Sequence, residues 1–276
     1  MNGSPLPTIG FIGLGGQGGP MARRIIEAGY PLVLWARRPD SLVPYADTAA
    51  QAAGSVAALG ARCDLVGVCV VDDQGVRQVC DELIPAMKPG SLIAIHSTIL
   101  PDTCVALAER CRAVGIGLID APVSGGGGGA AAGTLTVMCG GSDEDFAAAK
   151  PVFATFGGLI VRLGPVGAGQ RAKLVNNALM AAHMGLAHAA LAAGEAIGVD
   201  RAALIELVKV SSGRSFGFEI YARLPQPLGF WPGSALLDKD VDLLTATLPG
   251  NPDAAALARA ADSFFAALPA APPSET

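Results

Sequence analysis

The chain has 276 residues, 51% of them hydrophobic, and 19 Lys and Arg against 24 Asp and Glu give a formal charge of −5. That much apolar material fills one large or two modest cores and excludes a disordered chain. No basic run exceeds the pair Arg37-Arg38, which excludes the electrostatic footprint of a nucleic-acid partner and leaves a small metabolite as the expected one.

In chain order, TIGFIG (Thr8–Gly13) is a short β-rich run, and PMARRIIEAGY follows as a helix with Pro20 near its start and Gly29 near its end. PLVLWA (Pro31–Ala36) returns as a strand, and a helix-like Ala-rich stretch follows it. DLVGVCVV (Asp64–Val71), SLIAIHS (Ser91–Ser97) and GLIDAPVS (Gly117–Ser124) are continuous apolar runs separated by helical spacers. Runs of this kind are buried on both faces, so the expected architecture is a parallel sheet wrapped by helices, an α/β class. From Gly167 the texture changes. Ala172–Val199 is one helical pattern, and DRAALIELVKVSS and LLDKDVDLLTATL also read as helices, so the C-terminal part is expected to be all-α. The boundary is placed at 164/165, and the tail PAAPPSET is expected to fray.

Gly, Pro or charge breaks each apolar stretch short of the roughly 20 residues a membrane span needs, and the first residues lack a basic leader segment. A soluble, cytoplasmic protein with no membrane partner is expected. Six cysteines show no CxxC and no His at metal-ligand spacing, which predicts reduced, mostly buried thiols and no metal site.

Four constellations carry chemistry. In GFIGLGGQGGPMA, Gly13, Gly15 and Gly18 form G-x-G-x-x-G between a strand and a helix, a turn whose bare N–H groups suit the pyrophosphate of a dinucleotide. The next strand ends in Ala36-Arg37-Arg38, where an NAD-selective site carries a carboxylate for the ribose hydroxyls. Two guanidiniums instead suit a 2′-phosphate, so NADP(H) is preferred, Arg37 being the better candidate, with NAD(H) also possible. SGGGGGAAAGTL (Ser124–Leu135) reads as a loop at the carboxyl edge of the sheet, either slack or offering N–H groups and the Ser124 hydroxyl to an anion. In GAGQRAKLVNNAL, Lys173 and Asn177 lie four residues apart on one helical face, the spacing at which two side chains can converge on one substrate, the ammonium to donate a proton to a carbonyl oxygen and the amide to hold that oxygen or the lysine.

Taken in order, GFIGLGGQGGPMA, HSTILPDT, DAPVSGGGGGAAAGTLTVMCGG, GAGQRAKLVNN and LLDKDVDL resemble the β-hydroxyacid dehydrogenase family, which includes 3-hydroxyisobutyrate dehydrogenases and semialdehyde reductases. The resemblance implies a dinucleotide-binding Rossmann domain at 1–164, then an all-helical substrate and dimerisation domain at 165–276, joined by a long helix. Gly13, Leu14, Gly15 and Gly18 would cradle the pyrophosphate, with Val70 and Thr98 on the cofactor and Thr98 near the nicotinamide ribose. Ser124, Gly125 and Gly126 would bind a substrate carboxylate. Lys173 would be the general acid or base with Asn177 beside it, and Lys239 would close over cofactor and substrate with support from Asp240. Homodimers or homotetramers are implied as well.

The chain departs from the family at Gln17, where methionine is usual, and at Ala36-Arg37, which replaces the Asp-containing strand end of NAD-using members. His96 is expected to be buried rather than catalytic; His183 and His188 receive no role. Two other functions share the architecture, an NADPH-dependent imine reductase and a non-catalytic NADP-binding module. Lys173 speaks against both, and the complete carboxylate loop speaks against the first.

Overall fold

The computed structural model describes residues 6–229 and 232–269, so most of the tail expected to fray lies outside the described residues. Short apolar runs become strands and the spacers between them helices: β1 (Ile9–Ile12), α1 (Gly18–Glu27), β2 (Leu32–Trp35), β3 (Gln51–Ala52), α2 (Val56–Gly60), β4 (Leu65–Val68), α3 (Asp73–Leu83), β5 (Leu92–Ile95), α4 (Pro101–Ala113) and β6 (Gly117–Asp120). Every residue of β1, β4 and β5 is buried. This is the signature of a sheet covered on both faces. The strands pair in parallel in the order β3-β2-β1-β4-β5-β6, a Rossmann-like sheet in which the winding reverses between β1 and β4.

Alternate side chains of the strands feed two cores. Ile9 and Phe11 pack with Met21, Ile25, Phe153 and Phe156 on one face. Ile12, Val68 and Ile95 pack with Leu59, Leu83 and Leu107 on the other. A fully buried side chain of this size stabilises the fold by about 1.5–3 kcal/mol, so each face alone is a substantial core.

The sheet then departs from the all-parallel expectation. After β7 (Val123–Ser124) and α5 (Gly126–Ala132), β8 (Leu135–Gly140) runs antiparallel to both β6 and β7; α6 (Asp143–Phe153) leads to β9 (Gly157–Gly164), which lies parallel to β8. The stretch after β2 also differs from the expected helix. It forms a 3-10 segment, Pro39–Tyr45, with Pro44 inside it, before β3 and α2. Proline at an interior position removes a backbone donor and clashes with the preceding turn, which prevents a continuous α-helix there.

The glycine run is the largest difference. Residues 126–132 are a helix, not a loop, although glycine is a poor helix former. Packing supplies what propensity lacks: a Cβ on Gly127 would collide with the Gly16 carbonyl, so only a bare backbone lets α5 lie against the turn before α1.

Compact units divide between Lys173 and Leu174, within α7 (Ala168–Ala196). The second unit holds the rest of that helix with α8 (Arg201–Val210), α9 (Phe216–Arg223), α10 (Pro232–Thr247) and α11 (Pro252–Ala266). Its core joins Leu174, Met184 and Leu191 of α7 to Phe218, Leu237 and Phe264. The segment SSGRSFGF makes a helix start here, with Ser215 Oγ accepting the Phe218 N–H at 3.0 Å to cap α9. Among the described residues no helix is long and apolar enough to cross a membrane.

Candidate active site

Parallel strands deliver their carboxyl ends to one edge, and in the first unit that edge gathers Gly13 after β1, Arg37 and Arg38 after β2, Val70 after β4 and Thr98 after β5. At the first of these, Gly13 has φ +96° and a Cβ there would strike the Cys69 carbonyl, while a Cβ on Gly18 would strike the Gly13 carbonyl. Those two glycines are required by the protein's own packing. Gly15 is different, since a Cβ there meets nothing within 4 Å. Its exposed backbone lies just before α1, whose N-cap Gln17 makes no side-chain cap and whose first turn carries no acid. Uncapped N–H groups at the positive end of a helix form a site for a diphosphate, so the turn fits a dinucleotide.

A cleft of about 500 Å³ adjoins the turn, lined among others by Leu14, Gly15, Arg23, Ser41 and Tyr45. Sequence reasoning missed Tyr45. Its hydroxyl donates to the Gly19 carbonyl at 2.9 Å, and the Arg23 guanidinium lies 5.2 Å from its ring centre while donating to the Pro44 carbonyl. Burial raises the Tyr45 pKa, with the Arg23 charge opposing it. Arg37 and Arg38 are exposed. Neither side chain makes a hydrogen bond or ion pair with any described residue.

The next two strand ends are tied together. The Val70 N–H donates to Ser97 Oγ at 2.8 Å, and the His96 N–H to the Val68 carbonyl at 2.8 Å. His96 is buried, stacked 6.0 Å from Phe11, and its Nδ1–H donates to the Ala121 carbonyl at 2.8 Å. Burial pushes its pKa down to about 4, so the imidazole is neutral at pH 7 and acts as a strut between the ends of β5 and β6.

β6 ends in Asp120, a fully buried carboxylate that sequence reasoning also missed. The signal was available as an acid closing an otherwise apolar strand, since a buried charge persists only with partners. Its Oδ1 accepts the Gly167 N–H at 2.6 Å and its Oδ2 the Gln170 N–H at 2.8 Å, so Asp120 caps the start of α7. Burial pushes its pKa up to about 6 against the pull of those two donors. One turn further along the helix stands Lys173, only 8% exposed. Ser124, half-buried, pairs with Thr136 across the β7–β8 ladder, and Gly125 and Gly126 follow with φ +129° and +65°.

Within the second unit, the structure joins three other candidates. Asn177 Nδ2 donates to Asp240 Oδ2 at 2.6 Å, and Lys239 Nζ lies 3.3 Å from Asp240 Oδ1. His188 Nδ1 lies 2.7 Å from the Tyr221 hydroxyl, a bond inside the helical core. All six cysteines are free, and burial pushes the thiols of Cys63, Cys69, Cys80 and Cys139 up to about 12, which leaves none of these four as a thiolate nucleophile at neutral pH.

Residues 8–164 match the family described as the NAD binding domain of 6-phosphogluconate dehydrogenase, and residues 167–272 the one described as NAD-binding of NADP-dependent 3-hydroxyisobutyrate dehydrogenase. The mitochondrial 3-hydroxyisobutyrate dehydrogenase of Mus musculus is 34% identical over 85% of this chain and 74% of its own. The L-threonate dehydrogenase of Cupriavidus necator is 35% identical over 94% of this chain and 89% of its own. A 3-hydroxyisobutyrate dehydrogenase of Mycobacterium tuberculosis, solved with L-serine, superposes with a TM-score of 0.84 at 28% identity, covering 95% of this chain and 94% of that one. The two family matches together span nearly the whole chain, and relatives at 34% and 35% identity cover most of it, so the chain belongs to the β-hydroxyacid dehydrogenase family of NAD(P)-binding oxidoreductases.

Proposed function

We propose that this chain is an NADP-preferring dehydrogenase or reductase acting on a short carboxylic acid that bears a hydroxyl, keto or aldehyde group, with Lys173 as the general acid and base. The observation that carries the reading is the burial of Lys173 one turn beyond a helix start that Asp120 caps from the end of β6. Lysine is among the side chains least often buried, so its withdrawal from solvent here sets it apart from an ordinary surface lysine of a helix.

A bound nicotinamide supplies or accepts the hydride. The chain's residues do the rest. Gly13, Leu14, Gly15 and Gly18 hold the pyrophosphate at the start of α1, and Arg37 and Arg38 offer unengaged guanidiniums to a 2′-phosphate. Val70 and Thr98 border the cofactor from the ends of β4 and β5. The Ser124 hydroxyl and the N–H groups of Gly125 and Gly126 bind the substrate carboxylate. Lys173 Nζ gives a proton to the carbonyl oxygen as the carbon receives hydride, and as the free amine takes the hydroxyl proton in the opposite direction, a role worth about 10²- to 10⁴-fold. Asn177 positions that oxygen or Lys173, and Lys239, with Asp240 beside it, supports cofactor and substrate.

The acid class draws support from the relatives, whose named substrates, 3-hydroxyisobutyrate and L-threonate, are both hydroxy acids. NADP draws support from the matched family description and from the two arginines. We take 1–164 as the dinucleotide-binding domain and 165–276 as the domain of substrate contact and of assembly into homodimers or homotetramers. A kinetic screen of glyoxylate, succinic semialdehyde, tartronate semialdehyde and 3-hydroxyisobutyrate with both coenzymes tests the reading. Turnover of at least one acid, faster with the phosphorylated coenzyme, is expected. Silence across the panel overturns the activity, and preference for NADH overturns the cofactor assignment.

A further inference from the structure

We propose that Gln170, with Asp120, is a positioning residue for this reaction: its carboxamide clasps the backbone on both sides of Thr98 and thereby fixes the helix turn that carries Lys173. The role rests on the activity proposed above, while the geometry stands independently.

Gln170 is completely buried. Its Nε2 donates to the Ser97 carbonyl at 2.8 Å, and its Oε1 accepts the Ile99 N–H at 3.1 Å. One planar amide therefore grips the residue before Thr98 and the residue after it. The Gln170 backbone N–H is committed as well, to Asp120 Oδ2, and the Gly167 N–H to Oδ1 of the same carboxylate. Four hydrogen bonds thus anchor the first turn of α7, two to the end of β5 and two to the end of β6.

Lys173 lies three residues after Gln170, on the neighbouring turn of the same helix face. Sliding α7 by one residue would rotate its face by about 100° and break all four bonds together. An apolar side chain of equal volume would fill the same space, yet it would leave the Ser97 carbonyl and Ile99 N–H without these partners and only the two Asp120 bonds to resist the slide. Buried polar groups cost free energy unless paired, so a clasp whose donor and acceptor both match specifies one register where grease would tolerate several.

The test compares wild type with Gln170→Met, which keeps the volume and deletes both arms. Measured at saturating coenzyme, turnover of the best acid from the screen is expected to fall about 10- to 100-fold, the cost of a slightly misplaced group and a larger factor than any loss of coenzyme affinity through Thr98. A merely structural role would lower melting temperature and coenzyme affinity along with turnover. Independently of turnover, reductive methylation of Lys173, followed by mass spectrometry, is expected to run about tenfold faster in the variant because the turn opens more often. If Gln170→Met does not fold, Gln170→Glu, which retains the acceptor arm, carries the same comparison. Wild-type turnover with an unchanged kcat in the variant overturns the positioning role. If wild type turns over none of the acids, the proposed activity fails separately, and the methylation rate alone decides the clasp: faster labelling upholds it and an equal rate ends it.

Discussion

Replacing Lys173 by alanine deletes an ammonium but none of the four bonds that anchor the start of α7, because those use Asp120, Gly167, Gln170 and the backbone around Thr98. The glycine turn is likewise untouched, so Lys173→Ala is expected to lower kcat at least about a hundredfold with coenzyme affinity nearly unchanged. Lys173→Arg separates two explanations of such a loss. Arginine keeps the positive charge but does not release a proton near neutral pH, so it remains slow if proton transfer matters and recovers if charge alone does. Near-normal turnover in either variant, measured in steady state, removes Lys173 as the acid. In the proposed reading the cofactor preference is set at the end of β2, where the exposed guanidinium of Arg37 has no partner among the described residues. A charge-assisted pair with a phosphate is worth about 1.5–3 kcal/mol, so Arg37→Asp is expected to lower the ratio of kcat/KM for NADPH over NADH by about 10- to 100-fold. An unmoved ratio assigns the discrimination to other residues.

At the scale of elements, α5 shows how packing overrides local preference. Each glycine costs a helix interior about 1 kcal/mol relative to alanine, yet residues 126–132 are helical because bare backbone lets them lie on the turn before α1. Gly127→Ala drives a methyl into the Gly16 carbonyl and is expected to weaken coenzyme binding about tenfold, as overpacking displaces the turn. Gly128→Ala is the control. A Cβ there meets nothing within 4 Å, so it is expected to stabilise α5 by up to about 1 kcal/mol with binding unchanged; equal binding in both variants, by coenzyme titration, removes the coupling. The same contrast explains what was legible in the sequence. β1, β4 and β5 announced themselves because burial on both faces leaves nothing but apolar residues, and the glycine turn because its spacing is local. β9 did not, since its half-exposed positions give no clean period. Asp120, Gln170 and Tyr45 escaped for another reason: their hydrogen bonds reach partners 26 to 73 residues away, and no local pattern reports a contact closed by the fold.

For the whole molecule, stability follows pH through groups whose proton affinity differs most between the folded and unfolded chain, and two such groups in the first unit pull in opposite directions. His96 is pushed from 6.5 down to about 4, chiefly by burial, with its bond to the Ala121 carbonyl opposing. The unfolded chain takes up a proton in that window that the folded chain refuses, so stability falls as pH drops from 6.5 to about 4. Asp120 is pushed from 3.8 up to about 6, again chiefly by burial, with the Gly167 and Gln170 N–H groups and the Arg171 charge opposing. Here the folded chain keeps a proton that the unfolded chain has released. That contribution is fully present below 3.8 and is lost as pH rises through about 6. Each displacement corresponds to about 3 kcal/mol, and the two ranges nearly coincide, so in wild type the two slopes largely cancel. Removing one group uncovers the other. Asp120→Asn, followed by urea unfolding, is expected to lose about 2–3 kcal/mol more than wild type between about pH 6.5 and about pH 4.5, because the His96 slope then stands alone. His96→Gln, whose amide still reaches the Ala121 carbonyl, is expected to gain a similar amount over the same interval, now from Asp120. Two variant curves parallel to wild type would show that neither buried group takes or loses its proton in this range, and the strut between β5 and β6 and the cap on α7 would then be indifferent to pH.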